Sequence, residues 1–148
     1  PSPLPSGPRQ AYFLINPVGG GSYRNGDEFI VDVNLWSQRE PANLFVAKIS
    51  FDAQTLEVVR MEKGSVLSTW AEEYFDNQGG RISLVAGRPS PGLQTTEGND
   101  PRMMRIIFRA KNVGLSEIRL TSESKIYSNV DNMNILSSLL SAQIAITN

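Results

Sequence analysis

The chain has 148 residues, enough for one domain with a core of its own, and 40% of them are hydrophobic, an ordinary share for a globular protein. Its formal charge is −1, with acids and bases scattered along the chain, which argues against the clustered basic field of a nucleic-acid surface. Cysteine and histidine are both absent, which excludes disulfides, thiolate metal sites and any Ser-His-Asp or Cys-His arrangement, and removes the commonest general acid–base.

Four of the first eight residues are proline, in Pro1-Ser2-Pro3-Leu4-Pro5-Ser6-Gly7-Pro8. Such a stretch favours an extended polyproline conformation and has little to bury. It predicts a linker over residues 1–9, joining a domain of residues 10–148 to a larger modular protein. It lacks the charged-then-apolar pattern of a signal peptide. Nor does any apolar run approach the roughly 20 residues that cross a bilayer, so membrane insertion is not expected.

A first strand is expected near Tyr12–Ile15. Gly19-Gly20-Gly21-Ser22 and Asn25-Gly26-Asp27 then supply turn chemistry. Phe29, Val31, Val33 and Leu35 alternate with Ile30, Asp32, Asn34 and Trp36, the period of two that marks a strand with one buried face. Phe45, Ala47, Ile49 and Phe51 alternate in the same way with Leu44, Val46, Lys48 and Ser50. Another strand is expected near Leu56–Met61. Ser68–Phe75 reads as one short helical turn, capped by Ser68 or Thr69 with Glu72 following. Asp76-Asn77-Gln78-Gly79-Gly80 makes a turn before the alternating run Ile82, Leu84, Ala86. Gly98-Asn99-Asp100-Pro101 precedes Met104, Ile106, Phe108 and Ala110, and Lys111-Asn112-Val113-Gly114 follows them. Ile118 and Leu120, then Leu140, Ala142, Ile144 and Ile146, complete the pattern. Many short strands at regular spacing predict an all-β sandwich or barrel.

Candidates for chemistry are few. Glu72 and Glu73 are adjacent carboxylates in an aromatic setting, but sequence neighbours do not face each other across a cleft, so a solvated pair is the better reading. The glycines at 19–21 lack the lysine and following helix of a phosphate loop. Asn129, Asp131, Asn132 and Asn134 are rich in oxygen, yet Met133 interrupts them and no glycine follows as a calcium loop requires. Asp52 is expected to fix a turn by accepting backbone N–H groups two or three residues on. No cofactor is expected, and no enzyme activity.

The exposed apolar positions say more. Alternation turns Leu44 and Val46 outward, along with Val85 and Ile107. If those strands are neighbours, the outer face carries an apolar patch rimmed by Lys48, Arg81, Arg105 and Arg109, the usual anatomy of a protein-binding surface. The expected partner-binding residues are therefore Leu44, Val46, Lys48, Val85, Arg105 and Ile107.

The order of short motifs resembles that of a cohesin domain over roughly Ile15 to Thr147. A Gly26-Asp27 turn precedes a strand. Phe51-Asp52 is followed by Leu56-Glu57-Val58, then Gly64-Ser65 and Gly80-Arg81-Ile82. Ala110-Lys111 ends an apolar strand, and Gly114-Leu115-Ser116-Glu117-Ile118 opens the next. The resemblance implies a nine-stranded antiparallel sandwich with jelly-roll topology, outside the cytoplasm, that binds a dockerin through the outer face of the sheet holding the Phe51-Asp52 strand. Calcium would then belong to the dockerin. Cohesins of the first cellulosomal type carry a polar Asn and Asp where this chain has Leu44 and Val46, which implies either recognition through an apolar surface or a cohesin-like domain from outside cellulosomes. Carbohydrate-binding modules share the fold, and their sugar-stacking role would fall here to Trp36, Trp70, Tyr23, Tyr74 and Tyr127. A structural part in an envelope or secretion assembly is the third reading.

Overall fold

The computed structural model describes residues 10–37, 40–95 and 101–148. The linker expected over residues 1–9, and most of the turn expected at Gly98–Pro101, lie outside these. Eleven strands form in chain order: β1 (Tyr12–Pro17), β2 (Ser22–Arg24), β3 (Glu28–Trp36), β4 (Ala42–Ser50), β5 (Leu56–Lys63), β6 (Thr69–Asp76), β7 (Arg81–Gly87), β8 (Arg102–Ala110), β9 (Gly114–Leu120), β10 (Lys125–Ser128) and β11 (Ser141–Thr147). Eight of these are the strands expected from the sequence, and β2, β6 and β10, short or irregular strands with little apolar alternation, bring the count to eleven against the nine that the resemblance implies.

The strands make two sheets. The smaller has the order β1-β3-β8-β5, and the larger β2-β11-β9-β4-β7-β6, with β10 also paired to β4. Pairing is antiparallel except between β11 and β2, which run parallel. Two strands share one side of β4. β9 pairs only with its Ile49–Ser50 end, and β10 takes the other end, setting Lys125 against Val46 and Tyr127 against Leu44. β7 runs along the opposite side, from Leu44↔Gly87 to Ser50↔Arg81.

The inward set read from alternation is the core. Phe29, Val31, Val33 and Leu35 face Phe45, Ala47, Ile49 and Phe51 across the sandwich, and all are buried. Phe108 is fully buried between Phe29 and Phe51, with ring centroids 5.7 Å and 5.4 Å away, the first stacked and the second edge-on. Phe13 meets Phe45 edge-on at 6.5 Å and joins the sheets at the other end. Burying such rings is the main term that holds two sheets together.

Ser68–Phe75, expected to form a helical turn, is strand from Thr69 onward instead. The free edge of β7 leaves a row of backbone groups unpaired, and Thr69–Asp76 satisfies them from Gly87 to Arg81. The register shifts between Trp70 and Glu72. This bulge at Ala71 turns Trp70 and Phe75 to the same inner side, although they stand five residues apart. Their spacing therefore looks nothing like a period of two in the sequence. Lys63 of β5 ties the neighbouring edges together, pairing with Glu73 at 3.3 Å and lying 6.0 Å above the Trp70 ring.

Turns bear out their chemistry. Asp52 accepts the Gln54 N–H at 2.9 Å, as expected. Gly80 takes φ +67°, and a Cβ there would lie 2.1 Å from the Phe51 carbonyl oxygen, so only glycine fits where this turn crosses the end of β4. Asn77 of the same turn reaches across to β5: its carbonyl accepts the Val58 N–H at 2.7 Å, and its amide donates to the Val58 carbonyl at 2.9 Å.

Candidate binding face

Register places the outward residues of β10, β4, β7 and β6 in rows. The first row reads Tyr127, Leu44, Gly87, Thr69; the second Lys125, Val46, Val85, Glu72. Lys48, Ser83 and Tyr74 form a third, and Ser50, Arg81 and Asp76 a fourth, with Arg119 of β9 beside Ser50. Apolar character is concentrated in the first two rows and polar character in the last two.

At the first row the face deepens into a groove of about 710 Å³ lined by Leu44, Thr69, Ala71, Gly87, Arg88 and Tyr127, among others. Its depth has a local cause. Gly87 is the outward residue opposite Leu44, and a Cβ there would come within 2.7 Å of the Asn43 carbonyl oxygen and 3.8 Å of the Leu44 side chain. The absence of a side chain keeps the floor open between the Leu44 and Thr69 walls.

The third row is knitted by hydrogen bonds. The Lys48 ammonium donates to the Ser83 hydroxyl at 2.5 Å and pairs with Glu72 at 3.4 Å. The Ser83 hydrogen bond, then the positive charge of Lys48, hold the Glu72 carboxyl below its ordinary value. Glu73 turns to the other side, toward Lys63. The two adjacent glutamates thus serve different ion pairs.

The expected site divides between the sheets. Leu44, Val46, Lys48 and Val85 stand together on the larger sheet, as alternation requires. Arg105 and Ile107 do not join them, because β8 pairs with β3 and β5 in the smaller sheet. Arg109, expected on the rim, is there too. The single patch centred on all four apolar residues is therefore corrected to a face without Ile107. Ile107 does turn outward on its own sheet, but it is only 4% exposed, with Ile30 and Arg60 opposite it on the two neighbouring strands. Arg105 and Arg109 flank it along β8. Arg105 holds Asp32 through two hydrogen bonds of 2.9 and 3.1 Å, and Arg109 bridges Glu28 at 2.8 Å and Glu57 at 3.1 Å. These carboxylates raise both guanidinium pKa values, chiefly through the hydrogen bonds they accept.

Sequence reasoning missed Thr69, Ala71, Gly87 and Arg88 as groove residues. Tyr127 was weighed only for sugar stacking. The helical reading of Ser68–Phe75 hid the first two, and the short β10 carries a single buried apolar residue, Ile126, too little to mark a strand. The other aromatics scatter. Trp36 lies on the smaller sheet with Tyr12 at 6.4 Å, Tyr23 stacks on Phe29 at 4.0 Å, and Trp70 faces the core, so no planar strip is built. In the oxygen-rich loop, Asp131 accepts the Met133 N–H, Asn134 accepts those of Ile126 and Leu136, and Asn129 accepts from Asn43, which are loop-forming roles.

No family model and no curated protein matches the sequence. Solved structures do match over nearly the whole chain, and they are cohesins. A chain of a type I cohesin–dockerin complex from Clostridium thermocellum is 16% identical with a TM-score of 0.72, covering 93% of this chain and 99% of its own. A non-cellulosomal cohesin from the archaeon Archaeoglobus fulgidus is 15% identical with a TM-score of 0.73, covering 94% and 92%. A cohesin module from a family 33 glycoside hydrolase of Clostridium perfringens is 12% identical with a TM-score of 0.69, covering 94% and 96%. The chain has the cohesin β-sandwich fold.

Proposed function

We propose that this domain is a non-catalytic, cohesin-like module that binds a dockerin-type protein through the outer face of β10, β4, β7 and β6. The observation that carries this reading is the apolar groove at Leu44, Gly87 and Tyr127, continued by Val46 and Val85, on a cohesin fold. An apolar centre with a polar surround suits a protein partner. Lys48 is part of that surround, whereas Arg105 and Ile107 are not. Dockerin complexes among the similar structures support the partner class. Any calcium belongs to the dockerin, and the setting is extracellular, at a cell surface or periplasmic, within a larger modular protein. Calorimetry against a panel of dockerins in calcium is the direct test. Leu44→Asp should weaken the interaction by about 1–3 kcal/mol, because a carboxylate would be buried at the contact. Silence from every dockerin would sink the dockerin assignment, and retention on insoluble polysaccharide would favour the carbohydrate role instead.

A further inference from the structure

The two outer faces treat their charges differently. On the smaller sheet three cations are neutralised in place: Arg105 by Asp32, Arg109 by Glu28 and Glu57, and Arg60 by Glu62 at 3.2 Å, whereas Arg102 on β8 has no carboxylate within ion-pairing distance among the described residues. On the larger sheet only Lys48 is paired, with Glu72. Among the described residues, Arg81, Arg88, Arg119 and Lys125 have no carboxylate within ion-pairing distance. Two of these border the apolar rows. Lys125 stands directly beside Val46, and Arg88 lines the groove, where it is the one charged residue among the described residues of the wall.

Cations left without a carboxylate beside an apolar groove give that groove a charge preference. Opposite charge on a partner would be steered toward it, and like charge would be opposed by desolvated repulsion. Leu44, Val46 and Val85 meanwhile ask for apolar side chains. Lys125 lies in the second row and Arg88 directly follows Gly87 of the first and lines the groove, so both border the apolar strip.

Resting on the docking face proposed above, we infer that its partner presents an apolar anchor side chain flanked by carboxylates, the anchor entering the groove over Leu44 and Gly87 and the carboxylates meeting Arg88 and Lys125. The face thus selects an acidic–apolar surface.

The probe is a phage-displayed random peptide library selected on the whole 148-residue chain, with the selected peptides then measured by calorimetry. Peptides displaced by Leu44→Asp should be enriched in Asp or Glu beside Leu, Ile or Phe, and their affinity should fall as salt rises. The double variant Arg88→Glu with Lys125→Glu should bind them about tenfold or more weakly. A peptide with its acids changed to lysine should recover binding to that variant and to it alone. Leu44-dependent peptides without carboxylates, or indifferent to the double variant, overturn the charge preference and leave the docking face standing. A selection in which no peptide responds to Leu44→Asp overturns the face itself, and the inference with it.

Discussion

Replacing Ile107 by alanine should cost stability and spare partner binding, the reverse of what Leu44→Asp should do. Ile107 points away from the core between the sheets, yet it is 4% exposed. Isoleucine to alanine removes the equivalent of three methylene groups from that buried site. At about 0.8 kcal/mol each, the lost transfer energy is about 2.4 kcal/mol. The further cost of a cavity is small here, because the surrounding layer contains surface arginines whose stems can settle inward. The expected loss is thus about 2–3 kcal/mol, or a fall in Tm of about 5–10 °C for a chain of this length. Urea unfolding followed by tryptophan fluorescence checks it: the midpoint should drop with the slope unchanged. Calorimetry with any partner that Leu44→Asp weakens should then give the wild-type affinity. An unchanged urea midpoint would refute the assignment of Ile107 as a buried structural residue. Lost binding with stability intact would move the docking surface to the smaller sheet.

Three other substitutions probe the frame of the face. Gly80→Ala should destabilise by about 2 kcal/mol or more, since it sets a Cβ against the Phe51 carbonyl in a left-handed conformation, and the same urea titration reads it. Asn77→Ala leaves the Val58 N–H and carbonyl without their clamp, so stability should fall by about 1–3 kcal/mol, with the fastest gain in amide exchange at Val58. Glu72→Gln tests the Lys48–Ser83–Glu72 knot through pH. The folded-state pKa of Glu72 is depressed, so its stabilisation is present above the ordinary carboxylate range and disappears as pH falls through the folded value. Wild type and variant should therefore differ in Tm at neutral pH and converge in acid. A difference that persists in acid would assign the effect to packing.

The strands with regular alternation were legible because a half-buried strand must alternate. β3, β4, β7, β8 and β9 each place the expected side chains inward. β6 was not legible, because the bulge at Ala71 breaks the period that identifies a strand. β10 was not, because four residues with one apolar side chain carry too little signal, although pairing with β4 places Tyr127 beside Leu44. Of the expected site, Leu44, Val46, Lys48 and Val85 were read correctly as one outward group. Arg105 and Ile107 were read correctly as outward and assigned to the wrong neighbours.

That division has a physical reason. Which side of its own strand a residue occupies follows from the pleat, a local property repeated every two residues, so the sequence alone determines it. The lack of histidine and cysteine likewise restricts the chemistry before any folding. Which strands lie side by side depends on hydrogen bonds between segments far apart in the chain, and alternation is the same whichever sheet a strand joins. Only the tertiary structure could place β8 opposite β4, pair its Arg105 and Arg109 with carboxylates, and leave Arg88 and Lys125 open beside the groove.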